Sequence, residues 1–239
     1  SADGSVTYEL IDQLFTANNS FATFWNFADQ SARFAYIYGQ SDSGHGSAGD
    51  DVISLGAGQD NLYGYAGSDL LIGGTSPYDG VYYSSDAAFG GTNGVVVNIS
   101  DVDVIDPDNA ISIAAGTALD GFHSTDVLFQ IENVIGTGQG DYIIGNAMDN
   151  AIASFAGNDV LIGGDGYDFI TPGAGADVIN GLPQEHADQS EDDKDTVYYS
   201  DGANSGIGVI VNLSATAIDA TIAAGTFNVS AYSARDWSG

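Results

Sequence analysis

Asp51, Asp60 and Asp69 stand nine residues apart in GSAGDDVISLGAGQDNLYGYAGSDLLIGG, residues 46–74, each among glycines and each followed two positions later by Ile53, Leu62 or Leu71. Short carboxylates at tight, glycine-rich turns are oxygen donors for a hard cation, because the turns bring backbone carbonyls close beside them. The same register returns in residues 136–180 as GTGQGDYII, GNAMDNAIA, SFAGNDVLI, GGDGYDFIT and PGAGADVIN. Its sixth positions are Asp141, Asn150, Asp159, Asp168 and Asp177, and its eighth positions Ile143, Ile152, Leu161, Ile170 and Ile179.

The positioning elements follow from the two halves of the nonapeptide. The glycine half suits a turn that needs positive φ and close backbone approach, and the x-aliphatic-x half suits a strand too short to persist alone. Two turns and two strands close one coil of about eighteen residues, and coils stack on one another; a nonapeptide of this pattern is a period of parallel β-helices that bind Ca2+. The eighth positions then form an inward aliphatic ladder. The sixth positions meet across coils as Asp51 with Asp69, Asp42 with Asp60, Asp141 with Asp159, Asp159 with Asp177, and Asn150 with Asp168.

Without a cation these carboxylates repel. Six or so oxygens from paired carboxylates and turn carbonyls meet the demand of Ca2+ rather than Zn2+. The carbonyls expected to contribute lie near Ser47, Gly49, Gly56, Gly58, Gly67, Gly157, Gly164, Gly166, Gly173 and Gly175. Asn150 offers an oxygen but no charge, so the ion it shares with Asp168 is expected to bind more weakly. A further turn starts at Gly73 and breaks at Pro77, which puts Asp79 off the nine-residue spacing beside Asp60. With about five sites of dissociation constant near 0.1 mM and tenfold higher free Ca2+, each contributes about 1.4 kcal/mol. Their sum, about 7 kcal/mol, is comparable with a domain's whole stability, so folding is expected to be gated by calcium.

Composition points the same way. Three Lys plus Arg against 33 Asp plus Glu give a net charge of -30, which argues against nucleic acid or an anionic membrane as partner. All but Glu9, Glu132, Glu185 and Glu191 of those acids are Asp. A hydrophobic share of 44% is too high for a disordered chain. There is no cysteine, no stretch apolar enough to span a bilayer and no basic region at the amino terminus.

A longer repeat overlies the short one. GVYYSSDAAFGGTNGVVVNIS after the first block returns as TVYYSDGANSGIGVIVNLS after the second, and ISIAAGT at 111 returns as ATIAAGT at 220. The apolar runs Val95–Val97 with Ile99 and Val209–Val211 with Leu213 read as strands. The expected fold is all-β: parallel, calcium-stacked β-roll blocks joined by β-rich connecting segments. The expected divisions are 1–39, an amino-terminal cap or the end of a preceding domain, with YELIDQLFTA as a short helix; 40–78, the first block; 79–135, a connector; 136–182, the second block; and 183–239, a truncated second connector.

The two blocks, with DGVYYSSDA, VVVNIS and IENVIGTGQGDYIIGN between them, resemble the RTX (repeats-in-toxin) family, over about residues 40–225. The resemblance implies a calcium β-roll, export by a type I system in an unfolded state, and folding on contact with external calcium. The carboxy-terminal SAYSARDWSG does not resemble the family's export signal, which suggests a piece of a larger protein or a processed product.

Other constellations read as structural. No HExxH occurs, and His45, His123 and His186 stand apart, so they read as polar or turn histidines rather than zinc ligands. Acid pairs suited to lyase or glycosidase work are unavoidable at this density, and calcium accounts for the ordered ones, so no catalytic residue is assigned. Glu191, Asp192, Asp193, Lys194 and Asp195 read as a solvated insertion, and Asp106 with Pro107 as a turn. Strand alternation buries one Tyr each of Tyr82/Tyr83 and Tyr198/Tyr199, which favours core packing over sugar stacking. The expected protein is an extracellular or cell-surface calcium-binding module of adhesin or surface-layer type, whose partners are calcium and then glycans or other copies of itself. The alternatives are the non-catalytic portion of a secreted hydrolase or lyase, and a carbohydrate-binding module.

Overall fold

A computed structural model describes residues 41–106, 110–180 and 195–198, together with the backbone of the strands Trp25–Asn26, Arg33–Tyr36, Ile210–Asn212, Ile218–Ile222, Gly225–Val229 and Ser233–Arg235. The helix expected from Tyr8 lies outside the described residues. Among the described residues the regular secondary structure is almost wholly strand, with one four-residue helix, Asp86–Phe89.

Strands of two to five residues alternate with glycine turns, and within the nonapeptide strands the aliphatic residue of position eight points inward. Val52–Gly56, Asn61–Tyr65 and Leu70–Gly74 share one pattern in which the second and fourth residues are buried. One sheet is parallel throughout and runs in chain order: Ser43–Ser47, Asn61–Tyr65, Gly80–Tyr82, Asn133–Ile135, Ala151–Ala153, Phe169–Thr171 and Thr196–Val197. The facing sheet holds Arg33–Tyr36, Val52–Gly56, Leu70–Gly74, Thr125–Phe129, Thr117–Leu119, Val96–Asn98, Tyr142–Ile144, Val160–Ile162 and Val178–Asn180 in that spatial order. Thr117–Leu119 is antiparallel to both of its neighbours; the other pairs in this run are parallel.

The segment between the blocks is therefore not a spacer. In the parallel sheet Asn133–Ile135 pairs directly on Gly80–Tyr82, with Val134 opposite Val81, although more than fifty residues separate them. In the facing sheet the same segment supplies three strands that carry the ladder from Leu71 to Ile143. One aliphatic core follows, including Ile53, Leu62, Leu71, Val81, Val134, Ile143, Ile152, Leu161, Ile170 and Ile179 in a single cluster. At about 1.5–3 kcal/mol for each fully buried aliphatic side chain, this ladder is the main favourable term holding coil to coil.

A hairpin of Val104–Asp106 and Ile111–Ile113 lies over the outer face of the facing sheet, where its apolar residues meet Val96, Tyr142, Ile144, Val160 and Ile162. The Tyr142 hydroxyl donates to Asp106 Oδ2 at 2.8 Å, which ties the hairpin down; Pro107 is outside the described residues.

Candidate calcium sites

Position six lies at the boundary between turn and strand, so its side chain is directed along the stack. The nonapeptide acids Asp51, Asp60, Asp69, Asp79, Asp141, Asp159, Asp168 and Asp177, with Asn150, are all buried, and Asp42 is half-buried. From Asp60 onward each carboxylate reaches back one coil and accepts the backbone N–H of the residue in the same place there, which for Asp141 is Val95 N at 2.9 Å. On the facing-sheet side Asp51 N donates to Asp69 Oδ1 at 2.8 Å, Asp141 N to Asp159 Oδ1 at 2.8 Å, and Asp159 N to Asp177 Oδ1 at 3.0 Å. On the other side Asp42 N donates to Asp60 Oδ1 at 2.7 Å, Asp60 N to Asp79 Oδ1 at 2.9 Å, and Asn150 N to Asp168 Oδ1 at 2.9 Å. All the pairs expected from the spacing are thus adjacent. Asp79 keeps the seat despite the break at Pro77, because the turn absorbs one extra residue before the strand resumes.

The ladders also use acids outside the nonapeptides. Asp69 N donates to Asp126 Oδ1 at 3.0 Å, Asp79 N to Glu132 Oε2 at 3.1 Å, and Asp168 N to Asp195 Oδ1 at 3.1 Å. The nonapeptide spacing assigns none of the three a site role, and the charge run around Asp195 reads as a solvated insertion. The signal was present: Asp126–Val127–Leu128, Glu132–Asn133–Val134 and Asp195–Thr196–Val197 repeat the acid-x-aliphatic half of the motif without its glycine half.

The second carboxylate oxygen divides the turns into two kinds. Where position two has an ordinary backbone it turns its N–H onto the acid of its own turn: Ser47 N to Asp51 Oδ2 at 2.5 Å, Thr137 N to Asp141 Oδ2 at 2.8 Å, and Asn146 N to Asn150 Oδ1 at 2.8 Å. Where position two is left-handed, as at Gly56 (φ 88), Tyr65 (φ 68) and Phe155 (φ 68), no such bond forms. Asp60, Asp69, Asp79 and Asp159 each then keep one buried oxygen without a hydrogen-bond partner. A buried polar oxygen left unmade costs about 1–3 kcal/mol, and more when charged, so these are the turns that call for a cation.

Burial also acts on protonation. Burial, with the charges of Asp126, Asp51 and Asp120 adding and the Asp51 N–H opposing, pushes Asp69 up to about 8. Burial pushes Asp159 up to about 7, helped by Asp141 and Asp177, and Asp60 up to about 6, helped by Asp79 and Asp42. Asp42, Asp79, Asp141 and Glu132 are raised by burial as well.

The residues fit calcium. Among the described residues no three histidine, aspartate or glutamate side chains converge on one point, so the remaining oxygens must come from the turns. The turns are built for that: a Cβ at Gly46 would meet Gly64 O and come within 2.7 Å of Asp51 Oδ2, and one at Gly64 would strike Asp69 Oδ2. Glycine thus keeps open the space where carbonyl and carboxylate oxygens gather. Asn150 differs from the sequence expectation in degree. Its Nδ2 donates to Glu132 O at 2.9 Å and Asn146 Oδ1 at 3.0 Å, so the amide closes its turn with hydrogen bonds where an aspartate would need an ion.

Other candidates fall elsewhere. His45 stacks on Tyr63 with ring centroids 4.4 Å apart, Tyr63 stacks on Tyr82 at 5.0 Å, and His45 Nδ1 lies 2.7 Å from the Tyr65 hydroxyl. Both faces of Tyr63 are thereby taken, whereas a sugar stacks on a free ring face. Tyr83 is wholly buried and its hydroxyl donates to Asp126 Oδ2 at 3.0 Å, while Tyr82 is half-buried. Tyr198 is exposed; Tyr199 and His186 lie outside the described residues.

Parallel strands in two facing sheets, glycine turns between them and a ladder of buried aspartates at the turn edges define a β-roll of the calcium-binding class. Residues 38–75, 135–170 and 153–183 match the family model described as RTX calcium-binding nonapeptide repeat (4 copies). The two repeat blocks of this chain belong to that family, and the chain is a calcium-binding module. No curated protein matches the chain.

Proposed function

We propose that the chain is an extracellular structural or interaction module, of adhesin or surface-layer type, exported unfolded through a type I system and folded by the calcium it meets outside. The observation that carries this reading is the set of buried, unpartnered carboxylate oxygens on Asp60, Asp69, Asp79 and Asp159, in a chain whose net charge is -30. Inside a cell, at submicromolar Ca2+, those oxygens oppose coil stacking. Outside, at millimolar Ca2+, each ion removes the cost of burying them.

The ions lie between successive coils, held by Asp51 with Asp69, Asp42 with Asp60, Asp60 with Asp79, Asp141 with Asp159, Asp159 with Asp177, and by Asp168 beside Asn150. Carbonyls of the adjoining glycine turns complete each shell. The module acts by binding rather than catalysis, and its further partners are glycans or other copies of itself at a cell surface. No helix of the described residues is long and apolar enough to cross a membrane.

Circular dichroism in chelator and then in millimolar Ca2+ tests the proposal. A spectrum with little β-structure that turns into a fully β one on adding Ca2+ is expected. A chain fully folded in chelator at neutral pH sinks the calcium-gated reading.

A further inference from the structure

Besides the nonapeptide acid Asp79, four buried acids lie among the described residues of the segment between the blocks: Asp86, Asp120, Asp126 and Glu132. Asp126 and Glu132 have places in the ladders, as accepters of Asp69 N and Asp79 N. Asp86 and Asp120 have none, and burial without such a place has to be explained.

Asp86 opens the short helix that follows Tyr83, and Asp120 directly follows the strand Thr117–Leu119. The two are brought together across the connector. Gly121 N donates to Asp86 Oδ2 at 3.2 Å, so the Asp86 carboxylate is turned onto the residue next to Asp120. Thr92 N and Asn93 N both donate to Gly121 O, at 3.0 and 3.3 Å, which fixes that approach. Asp120 Oδ1 is occupied by Phe122 N at 2.9 Å and Ser124 N at 2.6 Å. One oxygen of each carboxylate is left over: Asp86 Oδ1 and Asp120 Oδ2 are both buried with no hydrogen-bond partner, on side chains 1% and 0% exposed. The adjoining Ser85 Oγ is buried and unpartnered too.

No Lys or Arg lies within the connector, because Arg33, Lys194 and Arg235 are the chain's whole complement of both, and the one base whose charge acts on this pair is His123, beside Asp120. The nearest titratable base, His123, is exposed. Two buried carboxylates with unmade oxygens and no Lys or Arg beside them are an all-oxygen donor set suited to a hard divalent ion.

We propose that Asp86 and Asp120 hold one further calcium ion, outside the nonapeptide turns, which fastens the connector at the point where the facing sheet changes from parallel to antiparallel. Asp86 Oδ1 and Asp120 Oδ2 supply the charge, and water fills the shell. Because Thr125–Phe129 follows Asp120 after one loop and pairs with Leu70–Gly74, an ion here orders the connector against the first block. That ordering is what lets the second block continue the same stack.

Crystals of the full chain grown in millimolar CaCl2 test this by anomalous difference density. A peak between Asp86 Oδ1 and Asp120 Oδ2 is expected. Water there, or the two oxygens in direct contact over a shared proton, overturns the proposal whatever the occupancy of the nonapeptide turns. Equilibrium dialysis of 45Ca2+ gives the second reading: the double variant Asp86→Asn, Asp120→Asn binds one ion fewer per chain than the parent. An unchanged stoichiometry overturns it. If the double variant does not fold at saturating Ca2+, the crystal of the parent chain decides. Empty nonapeptide turns with this peak present would count against the general calcium reading and leave this site standing.

Discussion

Replacing Asp159 by asparagine separates what the carboxylate does for the chain from what it does for an ion. Asp159 is the middle rung between Asp141 and Asp177: its Oδ1 accepts Asp141 N at 2.8 Å, and its own N–H donates to Asp177 Oδ1 at 3.0 Å. An asparagine Oδ1 keeps the first bond and leaves the second untouched. What is lost is the charge and the buried, unpartnered Oδ2. Burial raises this carboxyl from 3.8 to about 7, with Asp141 and Asp177 adding and the Asp141 N–H and the nearby Ser154 hydroxyl opposing. Three pKa units correspond to about 4 kcal/mol, and halving this for solvent screening leaves about 2 kcal/mol of destabilisation that the amide relieves in chelator. In calcium the amide forgoes two shared ions, about 3 kcal/mol at Ca2+ tenfold above a 0.1 mM dissociation constant. The net expectation is a variant about 2 kcal/mol more stable than the parent in chelator and about 1 kcal/mol less stable in calcium. Urea titrations in millimolar Ca2+ measure the second quantity. Refolding by an excluded osmolyte in chelator measures the first, since it drives even a weakly stable roll to fold. A shift of the same sign in both conditions refutes the reasoning, because it would mean that Asp159 contributes only structure or only strain.

Protons should stand in for calcium. The folded-state values of Asp69, Asp159 and Asp60 lie at about 8, 7 and 6, above the ordinary carboxylate value of 3.8, so the folded chain binds more protons than the unfolded one in between. In chelator this stability is full below about pH 4 and is lost as pH rises towards 8; circular dichroism at pH 5 should show more β-structure than at pH 8, and millimolar Ca2+ should flatten the difference. Gly64→Ala drives a Cβ onto Asp69 Oδ2 and should cost about 1–3 kcal/mol while raising the Ca2+ midpoint of folding, whereas Gly138→Ala, with nothing within 4 Å of its Cβ, should be close to neutral. Tyr83→Phe removes the donor from Asp126 Oδ2 in a fully buried site and should cost about 1–3 kcal/mol, read as a lowered urea midpoint at saturating Ca2+.

The nine-residue spacing by itself determined the period of the coil, the inward ladder from Ile53 to Ile179 and the pairing of Asp51 with Asp69 and Asp141 with Asp159. A repeat imposes the same local conformation each time it recurs, so register follows from counting. Three things needed the tertiary structure. Asp126, Glu132 and Asp195 join the ladders because their strands dock on coils that are 27 to 57 residues distant in the chain. The connector became part of the roll because its strands complete sheet edges that the first block leaves open, and no local pattern states which edge a strand will meet. Which carboxylates are left wanting a cation depended on the backbone at position two, where Ser47 and Thr137 turn an N–H onto the acid and Gly56, Tyr65 and Phe155 do not. Tyr65 and Phe155 are not residues that announce a positive φ; the stack imposes it on them, and the sequence carries no sign of it.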